Sequence, residues 1–597
     1  MIIISMGEYE GIFAINKPIG ITSQRAVQII KQWTRRKTGK KNIKVGHAGT
    51  LDPLASGVLV VAIGREYTKK LHFIVKKEKE YVAKIYLGMI SVTDDAEGKK
   101  KVINKEKKPS QKELEEALHS FVGEIEQRPP AYSAVKIDGQ EAYKRVRRGE
   151  KVSMEKRKVF IKNITLLSYT YPYVTLRIVC GKGTFIRSLA RDIGKSLGVG
   201  AYLAQLQRTR VGDFLLCNAQ SLDDFGMRIA VHARELDGER IDGTRVYMSN
   251  VLKYCGEYAP QDHFFLYHRD NFNAKIAPPA RKNYHFEKIG RFPLWTQTRF
   301  ALTLLRHKPD VLWMPFHNLP YIRSKKMKTV VTVHDLAFKI FPETFTKKDL
   351  RKLCFLTDHA VKKSDYIIAV SKATKRDLLR FYPDLRKEKI SVVYHGIDMQ
   401  FWQERVDEIK KEQTLLRYKV ADNPFIIHVG AIQPRKNLSV LIDAFAIVKK
   451  KYHNAKLLCV GGDGWLWQQI KEHAAANSYA SDIIFTGNIP FVDVRTLVQN
   501  ARVFVFPSLY EGFGLPGLEA CAAGVPVVAA HNSSLPEILG DGAIYFNTTD
   551  SHACAVQIKR LFDDKNLWHT MRTKGRERAA KFSWETTAKK TLSVLHR

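Results

Sequence analysis

Cysteine is scarce and scattered. The 597 residues hold seven, at positions 180, 217, 255, 354, 459, 521 and 554, and no two form Cys-x-x-Cys. That argues against a zinc ribbon or a disulfide-stapled secreted scaffold and fits a reducing compartment. Long apolar runs are also missing, and none approaches the ~20 residues of a membrane-spanning helix. The opening Met1-Ile2-Ile3-Ile4-Ser5-Met6 lacks the basic stretch of a secretory signal. These absences predict a cytoplasmic protein. Acidic residues are in deficit, 60 against 98 Lys and Arg, which leaves a formal charge of +38. Such an excess calls for a polyanion nearby: nucleic acid, an anionic membrane surface or phosphorylated small molecules. With 45% hydrophobic residues the chain is neither collagenous nor disordered, and its length suits several cores.

The text changes character near residue 226. Residues 1–226 carry 41 basic and 23 acidic residues, a higher basic density than the rest. They mix strands (Gly11 to Asn16, Tyr81 to Leu87, Val174 to Cys180) with helices over 22–35 and 110–122, the second opened by Ser110, and with a basic loop over 99–108. This is an α+β pattern. From 227 onward short apolar strands alternate with helical stretches. Candidates start at Arg228, Val311, Thr329, Tyr366, Ile390, Phe425, Lys456, Ile483, Val503 and Val525. Ten such strands predict two doubly wound α/β domains, divided in the charged stretch 400–422. The expected map is 1–226, 227–410 and 411–597.

In the first part, Gly46-His47-Ala48-Gly49-Thr50-Leu51-Asp52-Pro53-Leu54-Ala55-Ser56-Gly57 is a Gly-rich loop with one acid. Alone it reads equally as a tight turn capped by Asp52. Five further blocks are Asn16-Lys17-Pro18, Lys79-Glu80-Tyr81, Arg128-Pro129-Pro130-Ala131-Tyr132-Ser133-Ala134-Val135-Lys136, Gly181-Lys182-Gly183-Thr184-Phe185-Ile186-Arg187 and Leu206-Gln207-Arg208-Thr209-Arg210. In this order the blocks resemble the TruB family of tRNA pseudouridine(55) synthases. The resemblance implies that Asp52 is the catalytic aspartate, Tyr81 stacks on the target base and Arg187 pairs with the aspartate. It implies RNA contacts at His47, Lys17, Lys136, Phe185 and Arg208, and no cofactor. Covalent attack by Asp52 and proton abstraction stay open alternatives. Phe185 stands where some relatives carry tyrosine, and no PUA domain follows. A uridine buried in a tRNA loop must be flipped out to react, and an aromatic face offsets its lost stacking.

In the second part, Glu511-Gly512-Phe513-Gly514-Leu515-Pro516-Gly517-Leu518-Glu519 follows a buried strand, with Pro516 suited to a helix start. With Val333-His334-Asp335, Gln433-Pro434-Arg435-Lys436-Asn437 and Ser534-Leu535-Pro536-Glu537, it resembles retaining GT-B glycosyltransferases with a Glu-x7-Glu signature, in a mannosyltransferase-like branch. The resemblance implies that Arg435 and Lys436 hold the pyrophosphate of a nucleotide-sugar such as GDP- or UDP-hexose. Glu519 takes the donor ribose, and Glu511 and His334 contact the sugar. Gly243 keeps the flexible role of the first loop, whereas Ala431 replaces an arginine common in relatives. No Asp-x-Asp occurs in this part, which argues against a metal-dependent donor site. Tyr284, Phe286, Arg291 and Trp295 face phosphorylated lipid carriers or a membrane surface, or are ordinary helix faces. The acceptor stays open, with a lipid-linked or polysaccharide precursor in view. The expected architecture is an α+β pseudouridine synthase followed by a GT-B pair of Rossmann-like domains, a two-enzyme fusion. The alternatives are an RNA-directed glycosyltransferase with a tRNA-binding module, and an accidental joining of two neighbouring enzymes at Met227.

Overall fold

The strand Ala55–Ile63 has hardly a polar side chain, and its neighbours explain why. Successive residues of a strand face opposite sides. Leu59, Val61 and Ile63 join Phe13 and Ile15 in one cluster, closed by Ala26, Ile29 and Ile30 of the helix Ser23–Thr38. Val58, Val60 and Ala62 join Ile12 and Ala14 in a second, with Leu71 and Ile74 of the helix Arg65–Val75. Both faces are covered, so no polar alternation is left in the sequence.

The computed structural model describes residues 9–40, 42–103, 107–133, 135–137, 140–148, 150, 152, 154–239 and 241–597. The chain divides into two compact units, Met1–Gly226 and Met227–Arg597. In the first, a ten-stranded mixed sheet runs centrally through Gly11–Lys17, Ala55–Ile63, Ala201–Val211, Lys79–Leu87 and Tyr173–Cys180. Ala55–Ile63 and Ala201–Val211 lie parallel, and the other pairs of that run are antiparallel. The helix Ile186–Ser196 buries Leu189, Ala190 and Ile193 in a core shared with Ala83, Ile85 and Leu203. The helix opened by Ser110 is Gln111–His119, where the Ser110 hydroxyl accepts the Glu113 N–H and the Glu113 carboxylate accepts the Ser110 N–H. The basic loop expected over 99–108 contains a short strand, Lys100–Val102, and its residues 104–106 lie outside the described ones.

The second unit is α/β, as its alternation predicts. Seven parallel strands lie in the order Tyr284–Lys288, His263–His268, Arg228–His232, Val311–Met314, Lys328–Val333, Tyr366–Ala369 and Ile390–Val392. Six more follow the same winding: Ile483–Gly487, Lys456–Val460, Phe425–Val429, Val503–Phe506, Val527–Ala530 and Ala543–Phe546. In each sheet the chain reverses direction of progress beside its first strand, and ligand crevices form at such switch points beyond the strand C-termini.

Three differences from the sequence reading have physical causes. His263–His268 and Tyr284–Lys288 are strands rich in aromatic and histidine side chains, which mimic an amphipathic face, and Tyr284 and Trp295 are buried rather than facing lipid. Ala543–Phe546 is a short last strand whose central residues are only partly buried. The helix Trp584–Leu595 leaves the six-stranded half and returns to the first: Thr587 donates to the Tyr394 carbonyl at 2.8 Å, and His596 meets Asp262 at 2.5 Å.

Because each unit has its own core, residues 1–226 and 227–597 expressed separately are expected to melt cooperatively by calorimetry. Removing 584–597 is expected to abolish the transition of the second piece. Aggregation of both pieces, rescued only by co-expression, would contradict this.

Candidate functional sites

The single acid of the first Gly-rich loop lies between Val45–Ala48 and Ala55–Ile63. Two side chains, Ser23 and Arg208, hold that loop, and a third, Lys17, holds the turn 18–21. Ser23 donates to the Leu51 carbonyl at 2.9 Å and accepts the Leu51 N–H at 2.8 Å. Arg208, buried on Ala201–Val211, donates to the carbonyls of Val58 (2.7 Å), Gly49 (3.2 Å) and Thr50 (3.4 Å). The strands come that close because residue 57 is glycine: φ is +106° and a Cβ would lie 2.2 Å from the Arg208 carbonyl oxygen. Lys17, fully buried, donates to the carbonyls of Pro18 and Ile21, both at 2.8 Å. Burial pushes its ammonium down to about 8, against the pull of the Asp52 charge. The sequence reading puts Lys17 and Arg208 on the RNA surface. The structure corrects this: both cations are inside, because tightly turned loops present carbonyls that need donors where water is excluded.

Asp52 itself is partly exposed, and its carboxylate meets Nη2 of Arg187 at 3.0 Å. Nη1 of Arg187 meets the buried Asp95 at 3.1 Å, and Nη2 also donates to the Tyr132 carbonyl at 3.2 Å. Asp95 accepts the Thr93 hydroxyl at 2.5 Å and the Glu97 N–H at 3.0 Å. One guanidinium is thus bracketed by two carboxylates, one buried and fixed, one open to solvent. Tyr81, on Lys79–Leu87, is buried, and burial raises its phenol pKa. His47 carries a buried Nδ1 with no hydrogen-bond partner, and burial together with the Arg208 charge pushes its imidazole below the usual range. Phe185 is clamped by Gln127, which accepts its N–H at 2.8 Å and donates to its carbonyl at 3.1 Å. The side chain of Lys136 lies outside the described residues.

In the second unit, Arg435 and Lys436 follow the strand Phe425–Val429, and Glu511 follows Val503–Phe506, so the three flank the switch point of the six-stranded sheet. Nζ of Lys436 meets Glu511 at 2.6 Å, and Nη1 of Arg435 meets it at 3.3 Å while donating to the Tyr510 carbonyl at 2.5 Å. Burial works to raise the Glu511 carboxyl, and the Lys436 and Arg435 charges overcome it, holding it at about 2. Glu519 lies on the helix Leu515–Ala523, which has Pro516 in its first turn. It keeps some exposure, has no hydrogen bond or ion pair among the described residues, and is raised by burial to about 8. His334, after Lys328–Val333, donates its Nε2–H to the Pro315 carbonyl at 2.8 Å, and burial lowers its pKa. Gly512 packs under His334, where a Cβ would lie 1.8 Å from the His334 carbonyl oxygen. This brings Glu511 and His334 to one cleft between the two sheets. Gly243 differs from its expected loop role: it opens the helix Gly243–Tyr258, capped by the Asp242 side chain, and a Cβ there would meet nothing.

The comparisons with known proteins follow this division in the main, although one match crosses it. Residues 35–186 match the TruB family pseudouridylate synthase N-terminal domain, and 187–253 match the tRNA pseudouridylate synthase B C-terminal domain. The tRNA pseudouridine synthase B of Clostridium tetani is 45% identical over 214 residues, 36% of this chain and 72% of that protein. That of Parabacteroides distasonis is 42% identical over 217 residues, covering 92% of its length.

The chain belongs to the tRNA pseudouridine synthase B family.

The second unit adds glycosyltransferase domains. Residues 241–401 match Glycosyltransferase Family 4, and 411–578 match Glycosyl transferases group 1. WaaG, a glycosyltransferase involved in lipopolysaccharide biosynthesis, shares the fold at a TM-score of 0.50 and 16% identity, over 62% of this chain and 99% of its own. The protein is therefore a fusion of a pseudouridine synthase and a GT-B glycosyltransferase. Among the described residues no group of three or more His, Cys, Asp or Glu is placed to hold a metal ion, and no helix is long and apolar enough to cross a membrane.

Sequence reasoning missed Asp95, and it quoted Glu537 in a motif without its contact. Asp95 touches Arg187 across 92 residues, and its only local signal is an acid cluster, Asp94-Asp95-Ala96-Glu97, in a basic domain. Glu537 accepts the N–H groups of Lys372 (2.7 Å) and Ala373 (2.9 Å) at the start of the helix Lys372–Phe381, a favourable place for a negative charge that ties the two sheets' halves together. Asp95→Asn is expected to lower pseudouridine formation by up to ~100-fold while tRNA affinity changes little, because a loosened Arg187 misplaces the reacting geometry. Single-turnover kinetics with a filter-binding control checks this, and an unchanged rate would sink it.

Proposed function

We propose that the first unit isomerises uridine 55 in the T-loop of tRNA, with Asp52 as the catalytic residue, Arg187 keeping it ionised and Tyr81 stacking on the flipped base. His47, Phe185 and Lys136 contact RNA in this reading, whereas Arg208 holds the loop that carries Asp52 and Lys17 the turn 18–21. The observation that supports it is the half-open carboxylate of Asp52 against Arg187, whose far side is fixed by Asp95. An opposite charge at that distance favours the ionised acid. Asp52→Ala is expected to cut turnover on a T-loop RNA by at least ~100-fold, with RNA binding retained and falling steeply with salt. Tritium release from labelled uridine reports it, and persistent turnover would refute the assignment.

The second unit, in the same reading, transfers a hexose from a nucleotide-sugar such as GDP- or UDP-hexose with retention, and 227–410 and 411–597 form the acceptor and donor sides. Arg435 and Lys436 take the pyrophosphate, Glu519 the ribose hydroxyls, and Glu511 and His334 the sugar. The acceptor is a lipid-linked or polysaccharide precursor met at a membrane surface. Both activities belong to the cytoplasm, which suits seven free cysteines. The supporting observation is Glu519, partly exposed and with no side-chain partner among the described residues, on the helix that follows Glu511 and its cation pair.

The charge states give a test. Raised to about 8, Glu519 is mostly protonated at pH 7. Two ribose hydroxyls donating to it favour its ionised form, so nucleoside diphosphate binding at pH 7 is expected to release close to one proton. Calorimetry in buffers of different ionisation enthalpy measures this, and Glu519→Gln should remove the release and weaken binding. Lys436→Ala should weaken binding by roughly 1.5–3 kcal/mol. The stability sign follows too. An unfolded carboxyl ionises near 4.5, so Glu519 costs the fold stability progressively as pH rises from 4.5 to about 8, and Glu519→Gln is expected to stabilise increasingly over that range.

A further inference from the structure

The sheet of the first unit leaves part of one face open. On the strand Lys79–Leu87 every second residue from Lys79 is buried, and Tyr81, Ala83 and Ile85 share a core with the helix Ile186–Ser196. Successive residues of a strand face opposite sides. Val82, Lys84 and Tyr86, all half-buried, therefore point away from that helix, which carries Arg187, and so away from the Asp52 site. Ala201–Val211 and Tyr173–Cys180 flank this strand antiparallel, and Arg157–Thr170 lies antiparallel beyond Tyr173–Cys180. Together the four strands span about 14 Å.

Register sets the side chains of this face in rows across the strands. The first row holds Tyr202, Tyr86 and Tyr173. Tyr86 stacks on Tyr202 with ring centres 5.2 Å apart and meets Tyr173 edge-on at 5.2 Å. The Lys84 ammonium lies 4.4 Å over the Tyr173 ring, and that of Lys100, from a neighbouring hairpin, 5.7 Å over Tyr202. Tyr202 is buried, and Tyr173 is 42% exposed. The second row is Gln205, Lys84 and Thr175, and the third Gln207, Val82 and Arg177. Arg157–Thr170 prolongs the three rows with the hydroxyls of Thr170, Ser168 and Thr165. None of these side chains is acidic. The next row brings Glu80, whose carboxylate accepts the Thr209 hydroxyl at 2.7 Å.

Cross-strand contact between aromatic rings stabilises a sheet by itself, but the cations beside them do not. Lys84 and Arg177 sit on adjacent strands as diagonal neighbours, about 7–8 Å apart in such geometry. Neither meets a carboxylate among the described residues. Side by side, two like charges cost the sheet stability until an anion lies between them. Each class of partner leaves a different part of this face unused. A protein interface is depleted of lysine at its core. A duplex presents phosphates but keeps its bases stacked inside, out of reach of the tyrosine rings. Single-stranded RNA uses everything present: phosphates meet Lys84 and Arg177, unstacked bases lie against tyrosine, and amide and hydroxyl side chains reach base edges. The 41 basic residues of 1–226, against 23 acidic, attract such a strand. We propose that this face binds a single-stranded segment of RNA, at a site separate from the one that holds a uridine at Asp52. It adds a second RNA contact to the first unit and needs none of the chemistry at Asp52.

The test is fluorescence anisotropy of the full chain with a labelled oligouridine of about ten nucleotides, with excess unlabelled T-loop hairpin added to fill the Asp52 site. Oligouridine is expected to bind under these conditions. Tyr86→Ser/Tyr173→Ser is expected to weaken it at least ~10-fold through lost stacking. Lys84→Gln/Arg177→Gln leaves the rings in place and should lower the slope of log affinity against log salt by about 1.4, the share of two phosphates on a single strand. Cooperative melting and pseudouridine formation in the hairpin should match the wild type for both variants, which shows that they are folded. Loss of oligouridine binding when the hairpin is added overturns the proposal, because it leaves a single RNA site. Affinity and salt slope unchanged in both variants overturn it as well. A chain that binds no hairpin but binds oligouridine, with both variants responding as expected, keeps this face and refutes the Asp52 reading instead.

Discussion

In the first unit the Arg187 guanidinium stands between two carboxylates, and the surrounding loops are arranged to keep it there. A buried arginine and a buried aspartate without their partners would each carry a large desolvation cost. Paired, they are stable only if the remaining donors and acceptors are also met. The Thr93 hydroxyl and the Glu97 N–H complete Asp95, and the Tyr132 carbonyl completes Arg187. The result is a fixed positive charge with one free face, and Asp52 occupies that face from a loop held by Ser23 and Arg208. Asp52 is the most exposed of the three charged side chains, so its ion pair is the one that can open without unfolding anything.

The second unit solves the same electrostatic problem differently. Glu511 is enclosed, and two cations are brought to it from the loop after the neighbouring strand. The parallel winding makes this inevitable. Strands Phe425–Val429 and Val503–Phe506 are adjacent in the sheet and point the same way, so the loops leaving their C-terminal ends meet. A carboxylate on one and a basic pair on the other neutralise each other wherever no ligand stands between them.

What the sequence made legible follows from the range of the interactions. Residues that act within one loop, such as Asp52 with its glycines or Glu511 with Glu519, sit together in the text. So do strands whose both faces are buried, because they are uniformly apolar, as in Ala55–Ile63. Asp95 was illegible because its partner is on a distant helix and nothing near it differs from a solvated acid. Lys17 and Arg208 misled in the opposite direction: a basic residue in a basic domain reads as surface, and only the carbonyls crowded around it in three dimensions show that it is internal. The return of the helix Trp584–Leu595 to the first half of its unit also lay beyond pattern, since amphipathic spacing gives a buried face without saying which sheet covers it.

The donor reading has to account for cations that are already engaged. An ammonium has three donors and a guanidinium five. Among the described residues Lys436 uses one on Glu511, and Arg435 bonds the Tyr510 carbonyl and the same carboxylate. Donors therefore remain for an incoming phosphate without breaking the pair, and Glu511 keeps the cations aimed into the cleft before the ligand arrives. Glu519 is in the contrary state. Its surroundings resist its charge, and among the described residues no group compensates. A fold of ordinary stability retains such a group at a cost, and in the proposed donor site hydroxyl donors from outside the protein offset it. Of the two glutamates, the first is thus paired within the protein, and the second has no side-chain partner among the described residues.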